Sequence, residues 1–249
     1  KNDATIMKAI LDGTGEYNAV HLIDTDTNCT NVISQLTDIV QDIRGVKLDE
    51  LFFHFTGHGC LHAGEFHFLF SDYDDTKYRQ TSLSNEDLDE LLRKLDAKLV
   101  VKVIDACHSG VSYVKDSSTE SSDAVEKLFA KTKNRLQKCH FMFSSEQQQS
   151  SWQDDQYSYF TLAFAKAIAE HTEVKIRYQQ ISAYVADAFD GQNQTPHFVY
   201  QGDFLDVFCM ITDKLRSDIT LLLPTKSMTT SLSQMGDNKE EVTVASSLL

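Results

Sequence analysis

Two short apolar runs that stop at small and polar residues constrain this chain more than any other feature. Residues 51–55 read Leu-Phe-Phe-His-Phe and lead into Phe55-Thr56-Gly57-His58-Gly59. Residues 99–104 read Leu-Val-Val-Lys-Val-Ile and lead into Asp105-Ala106-Cys107-His108-Ser109-Gly110. A β-type run of this kind reads as a buried strand delivering side chains to its C-terminal edge. In open α/β sheets that edge is where ligands bind and chemistry happens. A thiol needs a nearby imidazole to raise its thiolate fraction, so His58 and Cys107 on neighbouring strand ends form a candidate base–nucleophile dyad. Gly57 and Gly59 permit unusual dihedrals and close substrate approach beside His58. Ala106, Ser109 and Gly110 around Cys107 suit an open turn better than the packed surroundings of a structural thiol.

The rest of the chain alternates between helical and strand patterns. Helical spacing of apolar residues predicts helices over 3–11, 30–43, 124–136, 159–169 and 181–189, the second with Val32, Ile33, Leu36, Ile39, Val40 and Ile43 on one face. A further helix begins at Ser84, an N-cap with Asp87 three residues on. Strands are predicted over 19–23 and 141–143, with a last one from 198–199 or 206–211, and residues 65–70 alternate like one arm of a hairpin. Such alternation indicates an α/β fold with a mainly parallel central sheet, flanked by helices on both faces. Past Ile211 the pattern decays into Ser- and Thr-rich sequence with one apolar patch, Leu221-Leu222-Leu223. The expected organisation is a domain over 1–211, followed by a linker or the start of a neighbouring module over 212–249.

The motifs Phe55-Thr56-Gly57-His58-Gly59 and Asp105-Ala106-Cys107-His108-Ser109-Gly110 resemble those of the caspase-like clan of cysteine proteases. They are nearer to metacaspases and bacterial CHAT-type proteases than to animal caspases, which carry Gln-Ala-Cys-Arg-Gly at the nucleophile. His58 precedes Cys107 by about fifty residues, the separation in the caspase signature. Weaker echoes are Asn2-Asp3-Ala4 and Tyr159-Phe160-Thr161-Leu162-Ala163. The resemblance implies a caspase-like sandwich and an endopeptidase acting through a thioester. It implies an oxyanion hole from the backbone N–H groups of Gly59 and Cys107; a Cβ at position 59 would crowd the tetrahedral centre. It also implies that Ser144 and Glu146 line the specificity pocket, that His108 is structural or a pocket wall, and that the protease is regulated in immunity or cell-death-type responses by a further domain or an activating partner. Domains of this clan begin with a buried central strand ahead of the segment resembled by Asn2-Asp3-Ala4. Residues 1–2 cannot supply it, so the first strand is expected outside this sequence or from another segment.

Asp105 lies two residues before the proposed nucleophile on the same strand, so its side chain projects to the same face. A carboxylate there would pair with Lys or Arg at the P1 position of a substrate, as the metacaspase resemblance also implies. The alternative is an Asp that hydrogen-bonds the active-site loop. Trp152 reads either as a subsite wall or as a rim residue packed on the sheet. The polar, acidic stretch 112–123 lacks apolar periodicity, and its one basic residue, Lys115, is a candidate self-cleavage site if P1 is basic.

Composition narrows the function classes. A net charge of −14 over 249 residues argues against a phosphate backbone as direct partner. It suits basic peptides, or merely solubility. Neither an apolar run long enough to span a membrane nor a secretory signal is visible. The five cysteines (Cys29, Cys60, Cys107, Cys139, Cys209) have no framework spacing, so a reduced, cytoplasmic setting is expected. His54, His58, Cys60, His62 and His67 crowd together without the second ligand pair of a closed zinc site. Asp72, Asp74 and Asp75 form an acidic loop of the sort that takes Ca²⁺ in some metacaspases. It lacks the Gly and terminal Glu of an EF-hand, so a solvated turn is the expectation. No Gly-x-Gly-x-x-Gly or Walker loop supports nucleotide binding. What stands is an enzyme that needs no cofactor and acts on protein or peptide substrates. Its competitor is a catalytically inactive interaction module of the same fold.

Overall fold

The computed structural model describes residues 2–62, 65–106, 138–145 and 157–224. In chain order these form α1 (Asn2–Thr14), α2 (Cys29–Asp42), β1 (Glu50–Thr56), β2 (Gly59–His62) and β3 (Glu65–Leu69). A 3₁₀ turn (Asp75–Lys77), α3 (Tyr78–Thr81), β4 (Ser82–Ser84), α4 (Asn85–Arg93) and β5 (Leu99–Asp105) follow. The second half supplies β6 (Cys139–Phe143), α5 (Tyr159–Ala169), β7 (Lys175–Arg177), α6 (Tyr178–Ala188), β8 (His197–Gln201), β9 (Val207–Met210) and α7 (Asp213–Leu222).

The central sheet runs β1-β5-β6-β8. β1, β5 and β6 are mutually parallel, and β8 is antiparallel to β6. Burial explains the apolar character of β5, whose residues are buried throughout. Its period-two alternation sends Leu99, Val101 and Val103 to one core and Val100 and Ile104 to the other. The first core lies under α1, α5, α6 and α7, with Ile6, Ile10, Phe160, Phe164 and Ile181 fully buried. The second lies under α4 and the small sheet β2-β3-β4, with Phe66, Phe68 and Leu88. Helices therefore cover the two faces of a mainly parallel sheet, as the sequence predicts.

Lys102 breaks the apolar pattern of β5. Its side chain is fully buried, donates to Asn85 Oδ1 at 2.7 Å and to Asp89 on α4, and sits 4.8 Å from the ring centroid of Phe141. Burial pulls its pKa down, and Asp89 opposes that shift. A paired charge of this kind fixes α4 on the sheet more than it adds stability.

Local signals set the helix ends. Asn28, Ser84, Ser158 and Thr212 each accept a backbone N–H three residues on, satisfying a donor the helix leaves free. Three expectations change. Residues 19–23 form no strand; the run is apolar, but no neighbouring strand offers it a ladder among the described residues. The segments 198–199 and 206–211 both hold strand, β8 in the main sheet and β9 paired with β7. The segment expected as a linker continues at once as α7, whose Leu215 and Ile219 are buried in the first core. Leu215 packs closely over Gly13 on α1, where a Cβ would lie 2.7 Å from its Cδ1. The helix expected over 124–136 lies outside the described residues. Among the described residues no helix is long and apolar enough to cross a membrane.

Candidate active site

The two diagnostic runs become adjacent parallel strands that end level. Thr56 faces Asp105 as their last register pair, and the Gly57 N–H then donates to the Asp105 carbonyl at 3.2 Å. His58 and residue 107 each follow that last pair by two positions along the chain. His58 is exposed at the edge and its carbonyl accepts from the Leu69 N–H at 3.0 Å, which ties it to β3. Gly57 holds φ +158°, and a Cβ on it would meet the Phe55 ring at 3.0 Å. Gly59 opens β2 opposite Phe68. Cys107, Glu146, His108, Lys115 and Trp152 lie outside the described residues.

Ala106, directly before Cys107, is clamped by β6 and the residues after it. Its N–H donates to Ser144 Oγ at 3.1 Å, and its carbonyl accepts from Ser144 Oγ and from Ser145 Oγ, both at 3.2 Å. Gln194 in turn donates to the Ser144 carbonyl at 2.7 Å. Where strand pairing ends, a serine side chain continues the ladder. Ser144 is thus fully buried, and its hydroxyl serves the backbone beside the proposed nucleophile.

Asp105 is 3% exposed and points to the α1/α5 side of the sheet. Its Oδ2 accepts from the Ser158 hydroxyl and from Thr161 Oγ1, the latter at 2.8 Å. Thr161 N–H donates to Ser158 Oγ at 3.0 Å, so one hydroxyl both caps α5 and holds Asp105. A second carboxylate joins this group. Asp3, at the start of α1, accepts from the Ser158 N–H at 2.8 Å and from the Thr56 hydroxyl at 3.4 Å. Two buried carboxylates thereby bracket Ser158 at the edge that carries His58. Sequence reasoning singled out Asp105 but not Asp3, Thr56, Ser158 or Thr161. Only their place in the motif echoes and the cap preference of Ser158 pointed to them.

The other crowded side chains have separate company. His54 on β1 has a buried Nε2 with no hydrogen-bond partner among the described residues, and burial lowers its pKa to about 4, so the ring is neutral. The His62 ring stacks on Tyr78, His67 Nδ1 bonds Ser82 Oγ at 3.0 Å, and Cys60 meets the Tyr73 hydroxyl at 3.8 Å. Asp74 caps the 3₁₀ turn through the Thr76 N–H at 2.9 Å, and Asp72 accepts from the Cys29 N–H at 2.8 Å. No group of three such side chains is arranged to hold a metal ion among the described residues. Cys29, Cys60, Cys139 and Cys209 are free thiols, and burial pushes those of Cys139 and Cys209 up to about 12, away from the reactive form.

At the opposite end of β1, Glu50 is held by the hydroxyls of Tyr17 and Tyr178, both donating to Oε1. Burial raises its pKa, and the two phenol bonds oppose that rise.

Comparison with known proteins agrees with this fold. The sequence model of the family described as Caspase domain matches residues 1–205. No curated protein matches the chain. Among solved structures, the fold is similar to protein GSU0716 from Geobacter sulfurreducens, at TM-score 0.57 and 17% identity, over 85% of this chain and 89% of that one. It is also similar to caspase-1 from Spodoptera frugiperda, at TM-score 0.51 and 15% identity, over 80% of this chain and 76% of that one.

Proposed function

Because the chain belongs to the caspase-domain family, we propose that it is a cysteine endopeptidase in which Cys107 is the nucleophile and His58 the base. The observation that carries this reading is the shared register of β1 and β5. It brings the chain leading to His58 and the chain leading to Cys107 to one sheet edge at the same level. That is the arrangement a thiol–imidazole dyad requires.

In this mechanism His58 takes the Cys107 proton as the sulfur attacks the scissile carbonyl carbon. The carbonyl π pair moves to oxygen, and the oxyanion is met by the N–H groups of Gly59 and Cys107. On collapse the C–N bond breaks, and His58 returns the proton to the leaving amine. The thioester then receives water, deprotonated by His58, and releases the acid and the free thiol. The clamp on Ala106 supports the reading, because a nucleophile is useful only when held in near-attack geometry. Ser144 contributes to this seat and backs the specificity pocket, to which Glu146 adds an acidic group.

A basic P1 preference belongs to the same proposal. Asp3 and Asp105 lie buried at the edge that carries His58, and a lysine or arginine side chain is the substrate group that two such carboxylates would favour. The metacaspase and CHAT-type likeness, the regulated role and the cytoplasmic setting are parts of this reading too, resting on the motifs around His58 and Cys107 and on the free thiols.

Labelling with an iodoacetamide probe, alongside a P1 peptide library, tests it. Fast, selective modification of Cys107 with cleavage after basic residues is the expected result. Uniform slow labelling of all cysteines without cleavage would favour an inactive interaction module.

A further inference from the structure

Resting on that protease reading, we infer that Ser158 and Thr161 are specificity-determining positioning residues, acting on substrate through Asp105. The Asp105 carboxylate accepts from two hydroxyls at the start of α5, Ser158 at its N-cap and Thr161 in its first turn. Both donate to the same oxygen, Oδ2. Two donors on one oxygen fix the plane of a carboxyl group, and so fix the direction of its second oxygen. Ser158 is tied down in its turn: its N–H is held by Asp3 and its oxygen accepts from the Thr161 N–H. Ser158 is 5% exposed and Thr161 fully buried, so water cannot substitute for either hydroxyl without a rearrangement of α5.

The chemistry of recognition makes this arrangement matter for charge. A buried carboxylate keeps its charge only when hydrogen bonds to the charged form offset its desolvation. A cationic P1 side chain gives up its own hydration on entering, and is compensated only by a partner that is ionised and correctly aimed. The hydroxyl pair meets both demands, because a hydroxyl donates to a carboxylate without competing for the substrate's charge. A neutral P1 side chain makes no such demand, so its cleavage depends far less on the pair.

The test compares two peptides that differ only at P1, arginine against norleucine, with wild type, Ser158→Ala, Thr161→Val, the double variant and Thr161→Ser. The ratio of kcat/KM for arginine over norleucine is expected to fall about 10- to 100-fold in the double variant, the range for lost hydrogen bonds to a charged group. Thr161→Ser, which keeps the hydroxyl, should restore the ratio to within about threefold of wild type, as expected where a hydrogen bond and not packing is at stake. Equal losses on both peptides would mark a merely structural role and overturn the inference. So would an unchanged ratio in folded protein, or a wild type that does not prefer arginine. Binding of both peptides to Cys107→Ala forms, by calorimetry, separates this from the parent reading. Should wild type cleave neither peptide, the protease reading fails, and the ratio of dissociation constants with and without the hydroxyl pair decides the inference alone.

Discussion

The central sheet carries a carboxylate with two hydroxyl donors at each of its ends, half-buried Glu50 at one and buried Asp105 at the other, and the two have different surroundings. Glu50 opens β1, and both of its donors are phenols from outside the sheet, Tyr17 and Tyr178. Asp105 closes β5, and its donors are the alcohols of Ser158 and Thr161 at the start of a helix. The phenols bring large rings: Tyr178 is fully buried in the core and packs against Phe208, with ring centroids 5.4 Å apart. The alcohols bring almost no apolar surface, and their helix begins at the edge where His58 emerges. The carboxylate held by rings borders the aromatic core, whereas the one held by two small hydroxyls lies at the edge of the candidate site. Two hydroxyl donors thus sit within aromatic packing at one end and, on the proposed reading, serve recognition at the other.

The sharpest break in this comparison comes from chemistry at the His58 edge. Cys107→Ala or His58→Ala should reduce peptide turnover by at least about 10³-fold while circular dichroism and melting temperature stay close to wild type, since neither member of a dyad works alone. Retained turnover in clean Cys107→Ala protein would remove the functional meaning of that end. Next in size, Asp105→Ala should lower kcat/KM on arginine or lysine substrates by about one to three orders of magnitude, chiefly through KM, as for a lost charge-assisted pair. Cleavage of apolar or acidic P1 residues by wild type in a peptide library would refute that assignment.

At the other end the sign of the effect reverses: stability moves and chemistry does not. Tyr178→Phe removes one donor to Glu50 and keeps the ring, so it should cost about 1–2 kcal/mol in urea unfolding, with kcat/KM unchanged. The smallest effect is a pH signature. Because burial holds the Glu50 pKa above its ordinary 4.5, the folded state binds that proton more tightly than the unfolded state. Glu50's contribution to stability is therefore complete below 4.5 and declines as the pH rises through the folded value. The stability difference between wild type and Glu50→Gln should fall as pH is raised past 4.5 and then level off. A difference that grows with pH would mean that the two phenol bonds outweigh burial.

Much of the fold was legible because its strongest signals are local. The apolar run of β5, the stripe on α2 and the Ser84 cap all read directly from residue order. Residues 19–23 misled because a short apolar run says nothing of a partner strand. The start of α7 was missed because Leu215 and Ile219 are too few to show periodicity; the fit of Leu215 over Gly13 is a contact across most of the chain. At the candidate site, the sequence placed His58, Gly59, Cys107 and Asp105 by motif. It gave no reason to couple Asp3 to Ser158, which the fold joins across 155 residues. Ser144 was legible as a residue of the site, but its bond to Ala106 depends on where β6 ends, which pairing sets and spacing does not.

The clamp on Ala106 has a consequence in time. A ribosome delivers Cys107 before it delivers Ser144 and Ser145, which bond the Ala106 backbone beside it, and before Ser158 and Thr161, which donate to Asp105. At about 5–20 residues per second, several seconds pass between the thiol and the last of these partners. Through that interval the nascent chain holds its thiol without the parts that would seat it. The seat of the backbone before Cys107 can therefore form only after the second half of the domain has been made.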